Sequence, residues 1–249
     1  MFSTIKEFID STNFDIEDIE LDFGYLQLDE QNLQNLSENF EQYKNIKQLN
    51  LNLAYNQIND KWIQVLCEKL IQKKSLVKLI LHLESNLITD LGLIFLGKML
   101  QELDLSNLEI YLGHNQISDL GVENLAQFLR FCCNLLDLVI TLEHTLISNQ
   151  AVENISQVLG KISNLTSLKL FFYSNQLGTY QQPLQMSGLK NCKNLKKLLL
   201  QFDSNQIGDN LLDLGIQIRQ CSLLTHLELY LVQLKQFVSQ IQFDIIQRK

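Results

Sequence analysis

Residues 112–121 read LGHNQISDLG. A histidine, an asparagine and an aspartate between apolar residues resemble a fragment of an active site. The phrase returns as LAYNQINDKW (53–62), LESNLITDLG (83–92), LEHTLISNQA (142–151), FYSNQLGTYQ (172–181) and FDSNQIGDNL (202–211). A phrase used six times along one chain is architecture before it is chemistry.

Aligned on Asn56, Asn86, Asn115, Asn175 and Asn205, with Thr145 filling the gap, the copies stand 30, 29, 30, 30 and 30 residues apart. Counting back from each anchor, apolar residues fall at −10, −7, −5 and −3, as Leu105, Leu108, Ile110 and Leu112 do before Asn115. The last three alternate, which predicts a strand with one buried face. Two residues past the anchor comes another Ile or Leu, then a polar residue suited to cap a helix (Thr89, Ser118, Ser148). Gly121, Leu125 and Leu129, then Ala151, Ile155 and Leu159, recur at the four-residue step of a helix stripe. Each unit is thus strand, tight turn, helix and return loop. One unit cannot bury its apolar face alone, but stacked neighbours share a continuous core.

The anchor then has a physical role. An asparagine amide carries two donors and an acceptor, enough to bond the backbone groups left open where the strand turns inward. Repeated, it forms a ladder. Thr145 has one hydroxyl donor, which predicts a weaker rung.

Cys132, Cys192 and Cys221 precede their strands at one common offset, which reads as small buried filler and not as metal or redox chemistry. Cys67 falls on a helix stripe, Cys133 lies beside Cys132, and no paired C-x-x-C exists, so zinc has little support. Five cysteines without a secretory leader point to a reducing, cytoplasmic compartment. No apolar stretch approaches the length of a membrane span. The net charge of −8 weighs against nucleic acid and toward a neutral or basic protein partner.

The pattern L-x-x-L-x-L-x-L-x-x-N-x-I, followed by D-x-G and a helix, resembles the leucine-rich repeat proteins of the ribonuclease-inhibitor-like class. The resemblance implies an α/β horseshoe solenoid, with a parallel concave sheet of about eight strands and helices on the convex side. One departure is an extra L-x pair, which lengthens the strand by two residues. With the abundance of Gln and Asn, that longer strand is similar to leucine-rich repeat proteins of ciliated protists.

The repeats are expected over 16–234, between an N-terminal cap at 1–15 and a C-terminal capping helix at 235–249. Ile16, Ile19, Leu21 and Phe23 make an earlier copy with Leu26 in place of the anchor; Leu224, Leu227, Leu229 and Leu231 make a later one. Phe2, Ile5, Phe8 and Ile9 suit the first cap, and Leu234, Phe237, Val238, Ile241 and Ile245 the last. The copy after Asn175 is irregular: it holds the only proline, Pro183, lacks D-x-G, and predicts a short helix that starts late, with Tyr180 in a longer loop.

Strand residues facing away from the core would line the concave face. There, nine acids stand against three lysines, and Tyr111, Phe171, Tyr173 and Tyr230 are expected to be exposed. Aromatic anchors among charges are how protein interfaces combine contact area with steering. The candidate partner-binding residues are Tyr55, His82, Glu84, Glu109, Tyr111, His114, Glu143, His144, Phe171, Tyr173, Asp203 and Tyr230. His114 and His144 share a column in successive repeats, about one strand spacing apart. A metal or a pH-sensitive pair is conceivable there, but two ordinary surface histidines are the preferred reading. Within 112–121, only His114 is expected to face outward. No nucleotide-binding, hydrolase or metalloprotease motif occurs, so neither enzyme activity nor a cofactor is expected. Two rivals to a concave-face binding module remain: a regulator of a small GTPase, and a structural part of a cytoskeletal or ciliary assembly.

Overall fold

The computed structural model of the chain describes residues 2, 4–178, 183–207 and 211–231. Eight five-residue strands form one parallel sheet in chain order: β1 Asp18–Asp22, β2 Gln48–Asn52, β3 Lys78–His82, β4 Asn107–Tyr111, β5 Asp137–Thr141, β6 Ser167–Phe171, β7 Lys197–Gln201 and β8 His226–Tyr230. Parallel neighbours need a crossover, and here helices supply most of them. They are α2 Glu30–Asn39, α3 Asp60–Leu70, α4 Asp90–Leu100, α5 Asp119–Leu129, α6 Asn149–Leu159 and α7 Leu212–Arg219. A short helix, α1 Ile5–Ile9, precedes β1. Among the described residues, no helix is long and apolar enough to cross a membrane.

The register follows the repeat alignment without slippage: Leu49 pairs with Leu79, Leu79 with Leu108, Leu108 with Leu138 and Leu138 with Leu168. These leucines and their neighbours two residues on are buried against the helices, while the alternate residues face away. A one-residue slip would turn every leucine out, so the pattern enforces the register. Pairing runs past the named strands. Leu112 N–H donates to Thr141 O at 3.0 Å and His114 N–H to Glu143 O at 2.9 Å, with equivalents along the sheet. The residues at −3 are buried, which is where the extra apolar position of the repeat goes.

The helices begin where the caps predict. Thr89, Ser118 and Ser148 each accept from the backbone N–H two residues on, and Asn59 accepts from that of Trp62. The first residue of α3, α4 and α5 has a further task. Asp90 accepts from both the N–H and the hydroxyl of Ser118 (2.8 and 2.6 Å), Asp60 from those of Thr89 (2.9 and 2.6 Å), and Asp119 from those of Ser148 (2.7 and 2.6 Å). This is a second ladder, linking the helix starts from α3 to α6. It accounts for the D-x-G spacing: a Cβ on Gly121 would collide with the Asp90 side chain, and one on Gly92 with Asp60.

The asparagine ladder is present. Asn115 Nδ2 donates to Leu112 O within its repeat and to Leu83 O in the one before, both at 2.9 Å, and its Oδ1 accepts from Ile88 N–H at 3.0 Å. Asn56, Asn86, Asn175 and Asn205 do the same. Thr145 does not. Its hydroxyl donates to Leu142 O within the repeat or to Asn175 Oδ1 of the next one, both at 2.9 Å, and to no carbonyl of the repeat before. At β1 the anchor position is Leu26, and it is exposed, because no earlier repeat needs a rung.

The irregular copy differs from its expectation in kind. The chain forms a 3-10 helix, Ser187–Asn191, in place of a short α-helix. Gly188 presses its backbone onto the Ser156 carbonyl of α6, leaving no room for a side chain. Glu153 of α6 accepts from Ser187 N–H at 2.9 Å and from its hydroxyl, pinning the start of that turn. Tyr180 lies outside the described residues.

At the other end, Phe8 is fully buried, stacked on Tyr43 with centroids 4.9 Å apart. Phe2 bonds along β1, donating to Glu20 O and accepting from Asp22 N–H. That covers an edge which would otherwise offer open backbone groups. The positions expected to form a C-terminal capping helix, from Leu234 onward, lie outside the described residues.

Candidate protein-binding face

The residue before each anchor takes a left-handed conformation. Tyr25, Tyr55, Ser85, His114, His144, Ser174 and Ser204 have φ between 50° and 60°. For non-glycine residues this costs roughly 1 kcal/mol each. The anchor amide offsets the cost by bonding the carbonyls two and three residues before it, as Asn115 does with Gly113 O and Leu112 O. The result is a rim in which one side chain per repeat is thrown outward at a fixed spacing.

Rings on that rim and on the open sheet face meet in pairs. Tyr25 stacks on Tyr55 with centroids 4.0 Å apart, His114 on His144 at 4.2 Å, and His82 on Tyr111 at 4.4 Å. Tyr173 sets its edge against His144 at 5.5 Å. In-register parallel strands place equivalent residues about 4.8 Å apart, so flat side chains in one column stack. The four aromatics expected to stand free do not all do so, and for Tyr111 and Tyr173 the neighbouring ring is the reason. Tyr230 is exposed, whereas Tyr111, Phe171 and Tyr173 are half-buried.

The carboxylates are interleaved with the rings. Glu109 accepts from the Tyr111 hydroxyl at 2.6 Å and Glu228 from that of Tyr230 at 3.0 Å. Asp203 accepts from Gln201 Nε2 at 3.2 Å. His82 Nδ1 lies 3.5 Å from Glu84 Oε1. Glu143 is half-buried; burial pushes its carboxyl above the ordinary carboxylate range, and the charge of Glu84 adds to the rise. Burial likewise raises Tyr111, with the Glu109 bond adding to it.

The twelve residues singled out in the sequence therefore fall into a connected group and two outliers. Tyr55, His82, Glu84, Glu109, Tyr111, His114, Glu143, His144 and Tyr173 lie on five neighbouring strands, β2 to β6, and their rim, with Phe171 at the end of β6 beside them. Asp203 and Tyr230 sit farther along, two residues past β7 and at the end of β8. Among the described residues, no group of three or more His, Cys, Asp or Glu is placed to hold a metal ion. The cysteine column is buried, and burial pushes the Cys132 and Cys192 thiols up to about 12, which suits filler.

Four exposed leucines were not foreseen: Leu87, Leu91, Leu120 and Leu146, all in the turn after a strand or the first turn of a helix. Within 112–121, Gln116 and Leu120 are exposed as well as His114. Gln116 N–H donates to Ile88 O of the preceding repeat at 2.9 Å, while the residue itself is exposed. Leu120 is the second residue of α5 and precedes the buried stripe of Gly121, Val122 and Leu125. Tyr25, open on the rim, completes a ring pair that equal offsets from the anchor could have revealed.

Comparison with known proteins gives limited help. No protein-family model matches the chain, and no curated protein matches it. Among solved structures, an internalin C2 from Listeria monocytogenes is 19% identical, covering 81% of this chain and 80% of that one at a TM-score of 0.41. The actin-binding site 2 of leiomodin-1 is 10% identical, covering 87% and 88% at a TM-score of 0.39.

Proposed function

We propose that the chain is a leucine-rich repeat protein of the ribonuclease-inhibitor-like class that binds another protein, without catalysing a reaction. On this reading the sheet curves with its open face concave, residues 16–234 form the repeats, and the flanking segments cap them. The partner is neutral or basic where it touches, and the setting is cytoplasmic. One observation carries the reading: ring pairs and carboxylates alternate on a face whose backbone is held by two ladders. Such a surface is ordered before it meets a partner, so little entropy is lost on association. Rings provide contact area and carboxylates provide steering.

The test is affinity capture from the native source with wild type beside a Phe171→Ala, Tyr173→Ala, Tyr230→Ala variant whose melting curve confirms folding. Loss of the captured protein is expected. Unchanged capture would move the binding surface elsewhere.

A further inference from the structure

Thirteen residues before the anchor, the chain buries an apolar side chain: Tyr43, Cys132, Ile162 and Cys192 all stand there. Before Asn86 the same place holds Lys73, which is only 4% exposed. Its stem fills the column as the others do, and its ammonium borders a recess of about 630 Å³ between the 3-10 turn Phe40–Gln42 and the end of α3. Neighbouring lysines have acids: Lys69 bonds Glu41, and Lys74 lies 3.5 Å from Glu102. Among the described residues, Lys73 Nζ has no hydrogen-bond or ion-pair partner. The last carbonyls of α3, on Cys67, Lys69 and Leu70, accept instead from the backbone N–H groups of Ile71, Gln72 and Lys73. A buried ammonium without an acceptor is costly. Its tip is open to the recess, so an acceptor from outside can reach it.

The charges around the recess specify that acceptor. Lys44 and Lys69 line it beside Lys73, with Glu41 and Glu68. Burial holds the Lys73 ammonium below the ordinary lysine range; Glu41 works against that, and Lys44 and Lys69 add to it. Glu41 is taken by Lys69, while Glu68 accepts from Gln64 Nε2 at 2.9 Å along its own helix. That leaves Lys44 and Lys73 as two ammoniums without an ion pair among the described residues. A phosphate monoester near neutral pH carries close to two negative charges and three acceptor oxygens, whereas a carboxylate carries one charge and two oxygens. Ammoniums suit it, as point charges with three rotatable donors each. We propose that Lys44, Lys69 and Lys73 form a site for a phosphate monoester group, with Lys73 Nζ donating to it from the core side. The site lies among helix ends and return loops, so it does not depend on the open sheet face binding protein.

The experiment is calorimetric titration of the full chain, at constant ionic strength, with inorganic phosphate, N-acetyl-O-phosphoserine amide and acetate. A free phosphate and a phosphoserine side chain present the same group, so either order of the two supports the site, and the tighter one names the source. Wild type is compared with Lys73→Met, which keeps the column filled, and with Lys44→Gln, a change at an exposed residue. Lys47→Met is the control of equal charge change, at a lysine paired with Glu17 outside the recess. The expected result is saturable binding at one site, about tenfold tighter for the phosphates than for acetate. Affinity should fall about tenfold in Lys73→Met and about threefold in Lys44→Gln. The control should change it by less than about twofold. Lys44→Gln touches no core residue, so it decides the matter if Lys73→Met fails to fold. Phosphate binding that does not saturate in wild type, acetate binding as tightly as phosphate, or undiminished affinity in the two recess variants would overturn the site.

Discussion

The carboxylate of Asp90 stands where a side chain on Gly121 would begin. The Asp90 Cα itself would lie 3.1 Å from the new Cβ, so a rotamer change cannot clear the space. In an open helix, alanine is favoured over glycine by about 1 kcal/mol. At Gly121 the order should invert, because the methyl would break the two bonds Asp90 makes to Ser118. Gly121→Ala is expected to destabilise by about 2 kcal/mol, read as a shift in denaturant midpoint. A stabilised variant would show that the aspartate ladder contributes nothing.

Thr145 is the opposite case. An asparagine there can donate to Leu112 O and accept from the N–H of Asn115, which in this chain has no side-chain acceptor from the following repeat. Thr145→Asn should add about 1 kcal/mol, or roughly 3 °C in melting temperature. A lowered melting temperature would mean that the threonine methyl is worth more than a completed rung.

Glu153 makes a stability claim with a sign. Burial opposes its charged form, but bonds from Ser187, Gln157 and Ser156 outweigh that, and the carboxyl lies below its ordinary value of 4.5. A depressed acid contributes stability that is fully present above the unfolded value and is lost as pH falls through the folded one. Glu153→Gln should therefore destabilise by about 1 kcal/mol at neutral pH. The difference should shrink steadily as melts are taken further below pH 4.5.

Glu143 has the reverse sign. Burial raises it above 4.5, so the protonated form is the one that folding favours. That contribution is complete below the unfolded value and is lost as pH rises through the folded one. Glu143→Gln should raise the neutral-pH melting temperature by about 2 °C and flatten its fall between pH 4.5 and neutrality. A lower melting temperature would show that the Thr141 and backbone bonds to the carboxylate outweigh its burial.

Why some of this was legible in the sequence and some was not follows from what repeats. Asn115 and Leu112 recur at fixed offsets, and a fixed offset in a stacked chain becomes a column, so strands, caps and the asparagine ladder could be read directly. The Thr145 rung followed from donor counting alone. The pairing of Asp90 with Ser118 was hidden because its partners lie 28 residues apart, and each looked sufficient as a local helix start. The left-handed rim was hidden too: Tyr, Ser and His do not advertise a positive φ as glycine would. Half-burial of Tyr111 depended on finding His82 beside it, a contact between columns in adjacent repeats. The bend of Glu143 over Gly113, in the space a Cβ there would need, required seeing what a missing side chain permits.

Both ladders join only adjacent repeats. A pull along the stacking direction would therefore pass through every rung in series, as tension passes through the links of a chain. Among the described anchors, Thr145 is the one that makes no amide cross-tie to the repeat before it. That step keeps the Asp119–Ser148 rung, so under load the aspartate pair would carry what the missing amide does not.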